Sequence, residues 1–293
     1  MNEKVARLRS ILATGEVLVV PTAYDALSAR VIEEAGFQAI HVGGFLGAGS
    51  LLGLPDVGLL TMNEAVTRGA NIAAAIEPPI ILDIDNGYGN AINVRRTIQE
   101  VVRAGVPAVH LEDQVFPKRC GQYGAGNMSV VDTREMVGKI RAARDVASRD
   151  DLFLIARTDA LGAGLTVDDA LERMRAYEEA GADALLPITR NYEWLKEIGQ
   201  RWKGAIPLVT APTRFSTVSA PELRSHGLQI VLYTEIAARA ALEGVRRAMR
   251  ELAERGSIAA IADDLAPTEY LYELVRLPAY RELEEKYGAL ADR

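Results

Sequence analysis

Short apolar runs alternate with longer amphipathic segments from one end of the chain to the other. The runs are mostly aliphatic or β-branched and apolar throughout, which is typical of strands covered on both faces of a parallel sheet. They predict strands at residues 17–22, 39–42, 79–85, 108–113, 152–158, 184–189, 207–211 and 230–233.

The segments between these runs carry apolar residues at helical spacing. Gly36, Gly105 and Gly181 directly follow the last position of three helical patterns, where glycine can end a helix. Asp132 and Thr166 precede two others and are suitable N-caps. The predicted helices span residues 26–35, 62–75, 94–104, 133–147, 167–180, 192–200, 220–225 and 236–255.

Successive strand–helix units predict an α/β fold, a (β/α)₈ barrel with a C-terminal helical extension. A doubly wound sheet is the alternative, but no GxGxxG motif follows the first strand and no linker divides the chain. We expect the barrel at residues 1–255 and the extension at 256–293, within the same domain. The amphipathic segment 267–288 either packs on its own barrel or is exchanged with a neighbouring subunit.

Composition narrows the classes of partner. The chain of 293 residues has a formal net charge of -7 and no long basic run, which argues against nucleic acid and anionic membrane surfaces. No apolar stretch approaches the roughly 20 residues of a membrane span. The single cysteine cannot form an internal disulfide, and the N-terminal segment lacks the apolar core of a signal peptide. We therefore expect a cytoplasmic protein without nucleic-acid or membrane partners.

Two acidic clusters end successive predicted strands. Asp83 and Asp85 follow one apolar run, and Glu112 follows the next. Because the carboxyl ends of parallel strands meet at one face of a barrel, these carboxylates repel one another unless a cation lies among them. Oxygen ligands of this kind suit Mg²⁺, with Mn²⁺ as a possible substitute. The alternative is that the aspartates cap a turn and that Glu112 pairs with a lysine.

The only cysteine, Cys120, follows the second cluster in a basic segment with Lys118 and Arg119. Positive neighbours favour the thiolate, which suits an acid–base role on a loop. Lone cysteines are commonly inert and buried, but this one lies in a polar segment. Residues 115–130 contain three glycines and predict a mobile lid over the site. Lys118 either binds a substrate carboxylate or stays solvated.

Arg157 ends a strand that is otherwise apolar. A guanidinium at this position can hold a carboxylate or a phosphonate through two parallel hydrogen bonds. Salt bridges to Asp159 or Glu112 are the alternative, and they can coexist with a substrate. His41 and His110 lie within predicted strands, and we expect core residues there rather than metal ligands.

These motifs, in this order, resemble the isocitrate lyase/phosphoenolpyruvate mutase superfamily, and the likeness covers nearly the whole chain. The chain is most similar to the short bacterial branch, which includes 2-methylisocitrate lyase, dimethylmalate lyase and carboxyphosphonoenolpyruvate mutase. The resemblance implies a barrel whose last helix is exchanged between subunits, in a homotetramer built as a dimer of helix-swapped dimers. The matching segments are residues 21–29, 52–56, 82–90, 111–114, 117–121 and 155–160.

The resemblance also implies roles for individual residues. Asp83, Asp85 and Glu112 would hold Mg²⁺, with Asp85 in direct contact and the others acting largely through water. Cys120 would protonate the enolate left by carbon–carbon cleavage, and Arg157 would hold the reacting end of the substrate. The other residues implied in substrate binding are Gly44, Phe45, Leu46, Asp56 and Thr189.

Several positions depart from the pattern of the lyases. Gln122 replaces the histidine after Cys-Gly, and Asn127 replaces a later lysine of the same loop. Phe45 adds apolar bulk to the substrate loop, and Ile188 stands where lyases have a glutamate. Thr189 matches in position a serine of the phosphonate enzymes. The pocket should be less polar, which suggests a substrate with less charge, or a more apolar substituent, than methylisocitrate.

The resemblance implies a Mg²⁺-dependent lyase that cleaves a carbon–carbon bond of a 2-hydroxy di- or tricarboxylate through an enolate and leaves an α-keto acid. The alternative is a phosphonate enzyme, a phosphonomutase or phosphonopyruvate hydrolase, that acts on a P–C bond. Two further alternatives are decarboxylation of an oxaloacetate-like acid and a barrel that binds a keto acid without turnover. In each case the partner is a small anionic carboxylate or phosphonate.

Overall fold

A parallel sheet organises the part of the chain that the structure, a computed structural model, describes: residues 2–123, 128–213 and 217–288. Within these residues the strands are β1 (Leu18–Pro21), β2 (Ile40–Val42), β3 (Ile80–Asp83), β4 (Ala108–Glu112), β5 (Phe153–Thr158), β6 (Ala184–Pro187), β7 (Leu208–Thr210) and β8 (Leu228–Tyr233). Their order in the sheet is β1-β8-β7-β6-β5-β4-β3-β2. Each strand therefore lies beside its neighbours in the chain.

The two ends of this sheet, β1 and β2, meet at a single parallel bridge between Thr22 and His41. The backbone N–H of Ala23 donates a hydrogen bond to the carbonyl oxygen of His41 at 2.9 Å. The bridge closes the sheet into a (β/α)₈ barrel, as the sequence predicts. The alternative of a doubly wound sheet is wrong, because that fold leaves both edges open.

Helices follow the strands around the barrel, and the predicted boundaries differ from the observed ones by only a few residues. A π-helical turn, Ala48–Leu52, continues the short helix after β2. In the described residues the helices are α1 (Glu3–Ala13), α2 (Ala26–Glu34), α3 (Gly44–Gly47), α4 (Met62–Ala75), α5 (Ala91–Arg103), α6 (Thr133–Arg144), α7 (Val167–Ala180), α8 (Tyr192–Arg201), α9 (Ala220–Ser225), α10 (Ile236–Arg255), α11 (Thr268–Leu274) and α12 (Leu277–Tyr287).

Helix α1 was not among the predicted elements. Asn2 caps its first turn by accepting a hydrogen bond from the backbone of Lys4 at 3.0 Å. Its buried side chains, Val5, Leu8 and Leu12, pack in one cluster with the first residues of several strands. The helix thus closes the amino-terminal end of the barrel, which leaves the carboxyl-terminal end to the loops.

A buried carboxylate strengthens this amino-terminal end. The side chain of Asp183, directly before β6, is fully buried and accepts a hydrogen bond from the backbone N–H of Leu154 at 2.8 Å. It also forms ion pairs with Arg9 at 3.0 Å and with Arg144 and Arg149. A buried carboxylate with this many partners is costly to remove, since each partner loses its acceptor.

Asp183→Ala is expected to lower the free energy of unfolding by about 3 kcal/mol, because the largely buried Arg144 and the backbone N–H of Leu154 lose their acceptor. Urea denaturation measures the difference. Glu100→Ala is the matched control, since Glu100 pairs with two arginines on the surface of α5 and should cost less than about 1 kcal/mol. Equal effects for the two variants would contradict the assignment of Asp183 as a structural anchor.

The chain divides into two compact units, Met1–Ile236 and Ala237–Arg293. The first contains all strands of the sheet, and its end lies one helix earlier than the predicted boundary at residue 255. In the second unit Leu271, Val275 and Tyr280 are exposed apolar residues. Exchange of a helix between subunits stays a prediction. In the described part of the chain, helices lack the combination of length and apolar character that a bilayer span requires.

Candidate active site

A cavity of about 110 Å³ opens to solvent at the carboxyl ends of the strands. It brings together most of the residues that the sequence singles out. Asp85 and Glu112 do not themselves line it, but each pairs with a lining residue, Lys118 or Arg157. The predicted site residues that line the cavity are Gly44, Phe45, Leu46, Asp56, Asp83, Cys120, Arg157 and Thr189.

Asp83 is the last residue of β3 and is held on both carboxylate oxygens. Oδ2 accepts a hydrogen bond from the backbone N–H of Gly44 at 2.9 Å, and Oδ1 accepts one from the backbone N–H of Asp85 at 3.0 Å. Burial opposes its ionisation, but His110 and Lys118 outweigh burial and hold the pKa of Asp83 well below its usual range. Asp83 is therefore a fixed negative charge.

Glycine at position 44 allows this close approach. A Cβ atom there would lie 3.0 Å from Asp83 Oδ2 and 3.0 Å from Asp85 Oδ1, and 3.2 Å from the Nζ atom of Lys118. Asp85 itself has a positive φ of 48°, a conformation that few non-glycine residues adopt. Strained backbone of this kind concentrates at functional sites, and here it coincides with a predicted metal ligand.

Lys118 lies between two of the predicted carboxylates. Its Nζ atom is 2.5 Å from Asp85 Oδ1 and 2.7 Å from Asp56 Oδ1, and only 3% of its side chain is exposed. Burial lowers the pKa of Lys118, but the surrounding carboxylates, Asp85 first, raise it well above its usual value. The side chain is thus a buried ammonium group, and the expectation that it stays solvated is wrong.

Burial raises the pKa values of two neighbouring carboxyl groups. Together with the charges of Asp83 and Asp56, it raises the pKa of Asp85 to about 7, although Lys118 acts in the opposite direction. Burial also raises the pKa of Glu112 well above its usual value. Positive charge near these groups favours their ionised forms. The cluster therefore holds more carboxylates than its own cations balance.

Arg157 lies at the end of β5 and forms ion pairs on two sides. Its Nε atom is 2.8 Å and its Nη2 atom 2.9 Å from the carboxylate of Asp159, and its Nη1 atom is 3.0 Å from Glu112 Oε2. The salt bridges proposed as an alternative role are therefore present. The guanidinium also lines the cavity, so its N–H groups that do not face these carboxylates can donate to a ligand there.

The donor set is compatible with a divalent cation. Asp85 Oδ1 and both oxygens of Glu112 are buried and make no hydrogen bond, although Lys118 and Arg157 lie at ion-pair distance. Among the described residues, no three His, Cys, Asp or Glu side chains form a preformed metal cage. Mg²⁺ is commonly held by one or two carboxylates and retains several waters. The residues therefore fit Mg²⁺ bound through few protein oxygens.

Comparison with known proteins places this site in a family. The family model described as phosphoenolpyruvate phosphomutase matches residues 8–253. The chain belongs to this family. It is 37% identical over 285 residues to 2,3-dimethylmalate lyase of Eubacterium barkeri, which covers 97% of this chain and 98% of the relative.

Two solved structures support the same assignment. Phosphoenolpyruvate phosphomutase from Streptomyces platensis subsp. rosaceus matches with a TM-score of 0.92 and 34% identity, over 97% of this chain and 99% of that one. Phosphonopyruvate hydrolase in complex with oxalate and Mg²⁺ matches with a TM-score of 0.89 and 33% identity, over the same shares. Lyases and phosphonate enzymes are both among the relatives, so the expected superfamily is confirmed.

The lid of this family member is anchored at its base and carries Cys120. Gln114 and Val130 form an antiparallel bridge, and the backbone N–H of Val115 donates to the carbonyl oxygen of Ser129 at 2.9 Å. Cys120 is partly exposed and lines the cavity. The stretch 124–127, which includes Asn127 and two of the three lid glycines, lies outside the described residues. Closure of the lid stays a prediction.

The wall opposite the carboxylates is largely apolar. Thr213 and Thr234 are the hydroxyl-bearing residues that face each other there, and their Oγ1 atoms are 2.7 Å apart. Thr189 also lines the cavity, and its Oγ1 accepts a hydrogen bond from the backbone N–H of Asn191 at 3.1 Å. The charged residues Arg190 and Glu235, which follow Thr189 and Thr234 in the chain, also line the cavity. The apolar side chains of the wall are Leu186, Ile188, Ala211 and Leu232.

His41 and His110 also line the cavity, although the sequence analysis assigned both to the core. They are buried as expected, yet they contact each other, and His110 lies 3.4 Å from Asp83. Their sequence positions gave little warning, because a histidine inside an apolar strand is compatible with either role. Lys118 offered a better signal, since it stands in the same motif as Cys120.

Proposed function

We propose that the protein is a Mg²⁺-dependent carbon–carbon lyase that acts on a 2-hydroxy dicarboxylate and releases an α-keto acid. Asp85 would bind the cation directly, and Asp83 and Glu112 would act through water; Mn²⁺ is an alternative occupant. When bound, the cation would supply positive charge beside the substrate oxygens and favour loss of the C2 hydroxyl proton. The observation that carries the proposal is the position of Cys120 on the same cavity as Arg157 and the carboxylates.

Arg157, Cys120 and Lys118 have separate roles in the cleavage of the carbon–carbon bond. Arg157 offers its remaining N–H groups to a substrate carboxylate and orients the reacting end. As the C2–C3 bond breaks, the hydroxyl carbon becomes the carbonyl of the keto acid, and the electron pair on C3 takes the thiol proton of Cys120. The hydroxyl proton restores the thiol, so the reaction balances without a net proton. Lys118 remains an ammonium group and holds Asp85 and Asp56 in place.

The apolar wall favours a substrate with alkyl groups on the departing half. Ile188 and Leu186 offer no charge to a substituent that packs against them, although Arg190 lines the cavity beyond Thr189. Burying an unpaired carboxylate against such a wall is unfavourable. Alkyl-substituted malates therefore suit the cavity better than tricarboxylates such as methylisocitrate. The similarity to 2,3-dimethylmalate lyase supports the same choice.

Phosphonate chemistry is the second candidate. The hydroxyls of Thr189, Thr213 and Thr234 on the cavity wall are the observation in its favour, because a phosphonate accepts more hydrogen bonds than a carboxylate. Several relatives act on phosphonates by name. Decarboxylation of an oxaloacetate-like acid, and binding of a keto acid without turnover, are further alternatives that the same assay distinguishes.

The assay is a turnover screen followed by ¹H and ³¹P NMR, with Mg²⁺ and a panel of alkyl malates, tricarboxylates, oxaloacetate and phosphonopyruvate. We expect an α-keto acid to be released from an alkyl malate. Cys120→Ala should lower kcat by about a hundredfold or more, because general acid catalysis contributes about 10²–10⁴. Cys120→Ser retains a similar volume and tests whether the thiol itself is needed.

A ³¹P signal that moves at the same rate in wild type and Cys120→Ala would support the phosphonate candidate and contradict the role of the thiol. Efficient turnover of methylisocitrate would contradict the choice of an alkyl malate. Release of carbon dioxide from oxaloacetate alone would favour the decarboxylase.

We also propose that the protein assembles as a homotetramer, a dimer of helix-swapped dimers. The support is the family resemblance together with the exposed apolar side chains of α11 and α12. Light scattering measures the assembly directly, and a monomer in solution would contradict it.

A further inference from the structure

A continuous line of buried polar contacts runs from the seam of the barrel to Asp83. Thr22 Oγ1 lies 2.7 Å from His41 Nδ1, and His41 Nε2 lies 2.9 Å from His110 Nε2. His110 Nδ1 then lies 3.4 Å from Asp83 Oδ1, which is an ion-pair distance without a hydrogen bond. The four residues are between 1% and 7% exposed and come from β2, β3, β4 and the end of β1. The line starts where β1 and β2 close the barrel.

The charge of Asp83 sets the direction of every contact in this line. A carboxylate repels a ring nitrogen lone pair, so His110 must carry its proton on Nδ1. Buried imidazole is favoured in its neutral form, which leaves His110 Nε2 as an acceptor. His41 must then donate from Nε2 and accept at Nδ1, so the hydroxyl of Thr22 donates. One tautomer of each ring satisfies the two hydrogen bonds and directs the His110 N–H towards Asp83.

The backbone beside the first ring is shaped to admit it. A Cβ atom on Gly43 would lie 2.8 Å from His41 Cε1 and 3.4 Å from His41 Nδ1. Any other residue at this position would push the ring away from Thr22. This glycine precedes Gly44, whose N–H holds the other oxygen of Asp83. Two adjacent glycines therefore serve the same carboxylate, one through its own N–H and one through the His41 ring.

We propose that Thr22, His41 and His110 form a directed relay of polar contacts that positions Asp83 for the metal site, an inference whose metal part rests on the proposed function. A neutral donor fixes the orientation of the carboxylate without cancelling its charge, whereas a lysine or arginine would compete with a cation. The three are positioning residues. The term relay denotes the line of contacts from Thr22 through His41 and His110 to Asp83.

The tautomers can be measured without any variant of the relay. The chain has three histidines, so a ¹H–¹⁵N long-range spectrum of the imidazole rings contains few signals. His226→Gln, at the end of α9, removes the third ring and completes the assignment. We expect Nδ1–H for His110 and Nε2–H for His41. The Nε2–H form of His110 in wild type would overturn the proposal.

Metal affinity tests the positioning role apart from catalysis. Mn²⁺ binding, followed by electron paramagnetic resonance, should weaken about ten- to a hundredfold in His110→Leu, as for other residues that orient metal ligands. His110→Asn places an N–H near the position of Nδ1 and should recover most of the affinity. Thr22→Val, remote from the carboxylates, should weaken binding less than His110→Leu, and Thr22→Ser should restore it.

Unchanged Mn²⁺ affinity in folded His110→Leu would overturn the positioning role. Equal losses in His110→Leu and His110→Asn would also overturn it, because the role requires the N–H donor rather than the ring volume. A wild-type protein with the expected tautomers that binds no Mn²⁺ would support the relay and contradict the proposed function. The two failures are therefore distinguishable.

Discussion

Asp85→Asn is expected to lower kcat/KM by about a thousandfold or more, which corresponds to about 4 kcal/mol of transition-state stabilisation. Asparagine keeps the size of the side chain but removes the anionic oxygen proposed as the direct metal ligand. The change also frees the cluster from one of its repelling carboxylates, whose pKa burial and neighbouring charge raise to about 7. Lys118 loses one carboxylate partner but keeps Asp56, so the metal-free variant should have a stability close to that of wild type.

Unfolding in urea, with excess Mg²⁺ or with EDTA, separates binding from folding. Mg²⁺ should stabilise wild type, by about 2.7 kcal/mol at a hundred times its dissociation constant, and should leave Asp85→Asn unaffected. Asp132→Asn is the matched control, since Asp132 caps α6 away from the cavity and asparagine caps a helix equally well. A variant that keeps both its Mg²⁺ stabilisation and its activity would contradict direct coordination by Asp85.

The barrel could be predicted from the chain because its strands are buried on both faces. Runs such as Ile80–Asp83 and Phe153–Thr158 have no polar alternation, so their assignment to a parallel sheet required no knowledge of their neighbours. Helix α1 was missed although Val5, Leu8 and Leu12 have helical spacing. Charged residues surround them in the sequence, so the apolar stripe is narrow. The role of this stripe follows only from the fold, in which it covers the amino-terminal end of the barrel.

The part of the site that could be predicted consists of charged residues at the carboxyl ends of strands. Asp83, Glu112 and Arg157 end strands of one barrel, so they had to meet at one face. The contact between His41 and His110 could not be inferred in the same way. It depends on the register of β2, β3 and β4 and on the size of residue 43, and these are set by packing across the whole barrel.

Lys118 shows a further limit of sequence reasoning. A lysine in a polar loop is ordinarily solvated, and its neighbour in the chain, Arg119, turns back to the main-chain carbonyl of Lys118. Only the fold places the Lys118 ammonium group between Asp56 and Asp85. The deficit of buried positive charge at the strand ends draws it there, because several carboxylates raise its pKa despite burial.

Arg157→Lys is expected to lower kcat/KM by about a thousandfold even though the positive charge is retained, since losses of this size follow removal of a well-placed donor. One ammonium group cannot replace the paired contacts to Asp159, the contact to Glu112 and a two-point grip on a substrate carboxylate. Steady-state kinetics separates the possibilities. A rise in KM indicates a lost substrate contact, and a fall in kcat indicates a contact made only in the transition state.

Two further variants show whether the effect belongs to the substrate or to the fold. Arg157→Met leaves Glu112 and Asp159 buried without their partner and should destabilise the protein by about 3–5 kcal/mol, whereas Arg157→Lys should not. Arg173→Lys makes the same conservative change in α7, where Arg173 pairs with Asp113 outside the cavity, and should leave kinetics unchanged. Equal kinetic losses in Arg157→Lys and Arg173→Lys would mean that Arg157 acts through packing, and its assignment to the substrate would be wrong.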